Sequence, residues 1–208
     1  MVLGLLIVGI IVAVAAVAVY VALKKAEEDA RNFPETPVGE PETPCPKAHA
    51  TNKGVAVETI DDAWPDVPDM TQEEADNYLS SVGLKDKVTQ TAPPTDTYDC
   101  HGYTFTGGET WINNDQVDQI LNDNGYSAVM QPTVGDVIAY RDSQGEITHT
   151  GIVREVQASA DGTTDVTVES KWGRLGRYEH APGDVPPGYG TPQYYHTDRP
   201  NGHLLQQH

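Results

Sequence analysis

A chain of 208 residues carrying a net charge of −18 has room for one domain and its appendages. Its acidity repels phosphate backbones, so no nucleic-acid partner is expected. Two cysteines, Cys45 and Cys100, are too few for a disulfide framework, leaving either one bridge or two unrelated thiols.

Val2 to Leu23 is an uncharged apolar run ending at Lys24 and Lys25. A helix of that length spans roughly 33 Å, close to a hydrocarbon core, so residues 1–25 are predicted to be a single membrane anchor that contacts lipid through residues 2–23. A cleaved signal peptide is the alternative, because Ala13 to Ala18 offers small residues for cleavage. The two lysines do not fix which side of the membrane the rest occupies.

Residues 26–70 read as an acidic, Pro-rich linker in which Pro-Glu-Thr-Pro occurs twice; regularly spaced proline favours extended backbone. The folded domain is then expected over 71–208. Thr71 with Glu74 forms a capping box. Ala75, Tyr78, Leu79 and Val82 follow at helical spacing, and Gly83 stops the helix. Thr89 to Thr97 reads as a loop.

Next comes Tyr98-Asp99-Cys100-His101-Gly102-Tyr103. Thr95-Asp96-Thr97 is a helix-start signature that would put Cys100 near a helix N-terminus, where the dipole favours a thiolate. Gly107-Gly108 breaks this helix. A second helix is predicted from Asn114 to Asn124, with Val117, Ile120 and Leu121 on one face.

Val134 to Tyr140 and Glu146 to Val153 flank an Asp142-Ser143-Gln144-Gly145 turn, which is a hairpin pattern. Period-2 alternation puts Ile147, His149 and Gly151 on one face, with open space beside His149. Asp165 to Trp172 is the third strand, and it brings Glu169 beside His149. A carboxylate there would hold the imidazole's tautomer and orientation.

Cysteine on an early helix, then Gly-Asp-Val-Ile-Ala-Tyr, His-Thr-Gly-Ile-Val and Val-Glu-Ser-Lys-Trp-Gly resembles the CHAP family of cysteine, histidine-dependent amidohydrolases and peptidases. The set is also similar to NlpC-type papain-like cell-wall hydrolases. The resemblance covers Tyr98 to Trp172. It implies an α+β, papain-like fold with N-terminal helices packed on a small antiparallel β-sheet, here preceded by the single transmembrane helix. It implies Cys100 as nucleophile, His149 as base and Glu169 as the group orienting it. The activity implied is cleavage of amide bonds in peptidoglycan or a related peptide substrate, without metal or other cofactor. Lys171 departs from the Asn of the CHAP pattern, and His101 from the Ser of the NlpC-type pattern. A protein-directed deamidase, a toxin-like peptidase and an inactive scaffold are the competing readings.

Lys171, Arg174 and Arg177 form a basic cluster that would either bind substrate carboxylates or balance charge on a solvated face. His101, His149, His180 and His196 lack metal-ligand spacing, so no metal is expected. Pro182 to Tyr195 is a covering loop or a lid.

Overall fold

The computed structural model describes residues 48–60, 63, 67–158 and 164–207. Residues 2–23, on which the membrane anchor was read, lie outside them, as does Cys45. The short strands β1 (His49–Ala50), β2 (Ala56–Val57) and β3 (Thr59–Ile60) come first. β1 pairs with both β2 and the C-terminal β12 (Gln206–Gln207), while β3 pairs with β5 (Trp111–Ile112). Residues 48–60, expected in the linker, are therefore part of the folded body: Val57 and Leu205 are buried in one core cluster.

The capping box at Thr71 forms as expected. The Thr71 backbone N–H donates to the Glu74 carboxylate at 2.8 Å, and Thr71 Oγ1 accepts from the Glu74 N–H at 3.2 Å. This starts α1 (Gln72–Ser81), which buries Ala75 and Leu79 against Trp172, Leu175 and Tyr178. Two further short helices follow, α2 (Cys100–Thr106) and α3 (Asn114–Asp123).

Seven strands make the dominant sheet: β4 (Thr89–Ala92), β6 (Ser127–Val129), β7 (Val137–Arg141), β8 (Ile147–Ala158), β9 (Thr164–Lys171), β10 (Arg177–His180) and β11 (Thr191–His196). Their spatial order is β4-β10-β9-β8-β7-β11-β6, with every pair antiparallel. This overturns the expected papain-like arrangement of helices on a small sheet. The molecule is mostly β, with a seven-stranded sheet and three short helices among the described residues. No described helix is long and apolar enough to cross a membrane. The physical reason lies at the sheet's margins. Thr89–Ala92 and Ser127–Val129 are short strands with no buried residue. Such edges satisfy backbone hydrogen bonds without the apolar alternation that marks a strand in sequence.

α2 and α3 cover one face of the sheet, where Phe105, Val117, Ile120 and Leu121 pack on Val137, Ala139 and Ile147. The opposite face carries Ile138, Tyr140 and Val168. A register shift decides which side His149 takes. Tyr140 pairs with His149, but Arg141 pairs with Ile147, leaving Thr148 as the extra residue of a bulge. Ile147 and His149 therefore fall on opposite faces, not on one face as simple alternation implied.

α2 approaches its neighbours closely. A Cβ on Gly102 would lie 1.6 Å from the Thr110 carbonyl oxygen, so only glycine permits this packing. Asp99 caps the helix, its Oδ1 accepting from Gly102 N–H at 2.6 Å and from Ile112 N–H at 3.3 Å. The cap is thus Asp99 and not the Thr95-Asp96-Thr97 signature. Replacing Asp99 by alanine leaves both buried donors without this acceptor and is expected to cost about 1–2 kcal/mol in urea denaturation; an unchanged midpoint would contradict the cap.

Candidate active site

A pocket opens where α2 begins and β8 rises past it. Asp99, Cys100, Trp111, Asn114, His149 and Trp172 line it, together with Tyr78, Thr148, Gly173, Arg174, Leu175, Pro186, Pro187 and Tyr189. It holds about 660 Å³ of space, counting its open mouth.

Cys100 is a thiol and the first residue of α2, 7% exposed. α2 has seven residues, and the Asp99 carboxylate sits on its positive end, so the helix brings little net dipole to the sulfur. Burial pushes the Asp99 carboxyl up to about 7, against the pull of the Gly102 and Ile112 N–H groups and of Lys171.

His149 is the unusual group. It is fully buried, and neither ring nitrogen has a hydrogen-bond partner among the described residues. Its ring stacks on Tyr189, with centroids 4.0 Å apart and planes at 16°, and tilts against Tyr140 at 5.3 Å. Thr148 Oγ1 donates to the Tyr189 carbonyl, which fixes the stacking residue in place. Burial holds the imidazole well below its ordinary pKa, and the nearby His180 and His101 push it the same way. His149 is therefore neutral at pH 7, a form able to accept a proton. Buried polar atoms without partners are costly, about 1–3 kcal/mol each, and they cluster where function requires them.

His101, beside the cysteine, has a different role. Its Nε2 is hydrogen-bonded with Asn114 Oδ1 and its Nδ1 with Thr150 Oγ1, both at 2.8 Å. Burial lowers its pKa to about 4. It ties α2 to β8 and to the start of α3.

The expected third member is elsewhere. Glu169 pairs with Ile152 in the β8–β9 ladder, so its side chain projects toward α2 and not toward His149. Thr91 Oγ1 and Tyr103 Oη each donate to it at 2.6 Å, and Arg154 Nε does so at 2.7 Å. Arg177 Nε lies 2.9 Å from its other oxygen. Burial raises the carboxyl's pKa, but the Thr91, Tyr103 and Arg154 donors outweigh it, and the net shift is downward. Glu169 thus anchors an arginine pair and does not orient His149. The Glu169→Gln variant should lose about 1–2 kcal/mol of stability while its rate of Cys100 acylation stays within about twofold of wild type. A rate loss as large as that from removing His149 would restore the sequence assignment.

The basic cluster also divides. Lys171 is fully buried, its Nζ donating to the carbonyls of Thr95 and Gly173, 5.4 Å above the Tyr98 ring. Burial lowers its pKa to about 8, while Asp99, Asp96, Cys100 and Asp69 draw it back up. Arg177 lies over the Tyr103 ring at 4.9 Å. Only Arg174 of the three lines the pocket, and Asp96 holds it through both carboxylate oxygens, at 2.7–3.0 Å. Lys171 and Arg177 are thus placed for structure rather than substrate.

Gly151 likewise does not open space beside His149: a Cβ there would meet Ser170 Cβ at 2.8 Å, so β9 already fills the gap. Among the pocket residues, Asp99, Trp111 and Asn114 have no role in the sequence reading, whereas Tyr189 and the two prolines fall in the 182–195 segment expected as a covering loop or a lid. The Gly/Pro/Tyr-rich composition of 182–195 was the available signal for Tyr189.

Residues 89–197, a little over half of the chain, match the family described as a domain of unknown function, DUF7689, and the chain belongs to that family. The match begins with β4 and ends just past β11, so it encloses the seven-stranded sheet, α2, α3, Cys100 and His149. No curated protein matches the chain, and no solved structure does. A family of unknown function brings no activity with it and gives the CHAP and NlpC-type resemblance no support. The expectation of a cell-wall peptidase loses the papain-like fold on which it was built, while the membrane anchor lies outside the described residues.

Proposed function

We propose that the protein is a cysteine-dependent acyl hydrolase that cleaves amide or ester bonds. The observation that supports this reading is that Cys100 lines one pocket together with a neutral, buried His149 whose ring nitrogens have no partner among the described residues.

The chemistry follows from the groups. The Cys100 sulfur bonds to the carbonyl carbon of the substrate as its proton passes to the imidazole of His149. The carbon–nitrogen or carbon–oxygen bond then breaks, and the leaving group departs with that proton. Water gives a proton to His149 and attacks the thioester, releasing the acid and restoring the thiol. A neutral base suits a neutral thiol, because the proton moves as the sulfur attacks. Tyr189 and Tyr140 hold the ring by contact where other hydrolases use a carboxylate.

The test is a short pulse of an activated ester followed by intact-mass measurement and peptide mapping. The wild-type chain should carry one acyl group on Cys100, and Cys100→Ala should carry none. An adduct of equal yield in Cys100→Ala would overturn the assignment.

A further inference from the structure

The walls of the pocket carry information about the group next to the scissile bond. Both tryptophan rings have their only polar atom engaged inside the fold. Trp111 Nε1 donates to the Asp96 carbonyl at 2.5 Å, and Trp172 Nε1 donates to Ser170 Oγ at 2.8 Å. What they offer the pocket is carbon. Leu175, Pro186 and Pro187 add to that apolar lining. Arg174, the one cation on the wall among the described residues, is neutralised by Asp96 and also donates to the Pro68 carbonyl. Asp99, the one carboxylate there among the described residues, points its Oδ1 at the N–H groups of Gly102 and Ile112.

Resting on the acyl-hydrolase reading, we propose that this pocket is a specificity site for an uncharged aromatic or large aliphatic side chain adjacent to the carbonyl that Cys100 attacks. A charged side chain entering it would lose water and meet a lining rich in rings and prolines, in which Arg174 and Asp99 are already engaged within the fold. An aromatic ring would leave water and find offset-stacking partners. The polar part of the substrate, its carbonyl and leaving group, would then face Cys100 and the two nitrogens of His149, which have no partner among the described residues. The expected substrates are thus neutral acyl groups with an apolar side chain, in contrast to the acidic peptides that a basic cluster would select.

The test uses the full chain and three N-acetyl amino acid chloromethyl ketones, built on phenylalanine, aspartate and lysine. In each, the Cys100 sulfur displaces chloride to form a thioether. Rates of modification are read by intact mass and divided by the rate with iodoacetamide, which carries no side chain. The phenylalanine reagent should react about 10- to 100-fold faster than either charged one. Equal rates, or a faster charged reagent, would overturn the proposal while leaving the thiol chemistry standing. If iodoacetamide itself fails to modify Cys100, the hydrolase reading falls and this one with it. Pro187 is exposed on the rim, so Pro187→Asp should fold normally and reduce the phenylalanine-to-lysine ratio by about fivefold or more. An unchanged ratio would place the side chain outside this pocket and sink the assignment.

Discussion

Replacing His149 by phenylalanine should slow acylation of Cys100 by about 10²–10⁴-fold and at the same time raise stability by about 1–2 kcal/mol. The two effects have opposite signs for one reason. Phenylalanine keeps a ring between Tyr189 and Tyr140, where the imidazole now lies. It removes two buried nitrogens that have no partner among the described residues. The fold gains by losing them, and the chemistry loses its proton acceptor. A residue retained for packing alone would show the reverse, a loss of stability with no change in rate. Stopped-flow acylation and urea denaturation on the same variant check both arms.

Acidification from pH 7 to pH 5 should remove about 3 kcal/mol of folding stability. Among the buried histidines, burial is the leading cause holding the pKa of His101, His149 and His180 down, to about 4 for His101 and His180 and well below the ordinary value for His149. Unfolded, each titrates near ~6.5, so below that pH the unfolded chain binds protons that the native state refuses. Asp99 acts in the opposite sense: its native pKa of about 7 lies above that of an unfolded aspartate, so the native state binds one proton more. His203, lowered by burial, adds to the loss, and His196, raised by Asp136 and Asp198, opposes it. The balance of His101, His149 and His180 against Asp99 is about two protons, worth about 1.4 kcal/mol each per pH unit. The loss begins as pH falls through ~6.5 and levels off near the native value of about 4. Urea midpoints at pH 7, 6 and 5 give the slope, and His101→Gln should flatten it by about one proton. A flat profile would mean that the buried histidines are not neutral.

Much of the domain was legible where one segment carries its own signal. The capping box at Thr71, the helix from Asn114 and the hairpin around Asp142 all declare themselves by local pattern, and all are present. Cys100 and His149, expected as neighbours from their order and chemistry, both line one pocket. What failed depended on partners distant in the chain. β4 reads as loop because Thr-Gln-Thr-Ala has no apolar face, yet it pairs with β10 at the sheet edge. Glu169 was placed beside His149 on strand adjacency, but antiparallel register sets its side chain on the α2 side, among two arginines. Lys171 reads as a surface cation, yet two carbonyls and an aromatic ring enclose it. The bulge at Thr148 turned Ile147 away from His149, and no residue preference there announces a bulge.

The central claim is that a neutral His149 takes the proton of Cys100, and the pH dependence of Cys100 acylation tests it most directly. With a base whose pKa lies well below 6.5, the wild-type rate should be flat from pH 8 to pH 6. In His149→Phe only the thiolate reacts, and the rate should fall about tenfold per pH unit over the same range. A wild-type rate that also falls tenfold per unit, parallel to the variant, would show that His149 takes no part in the proton transfer.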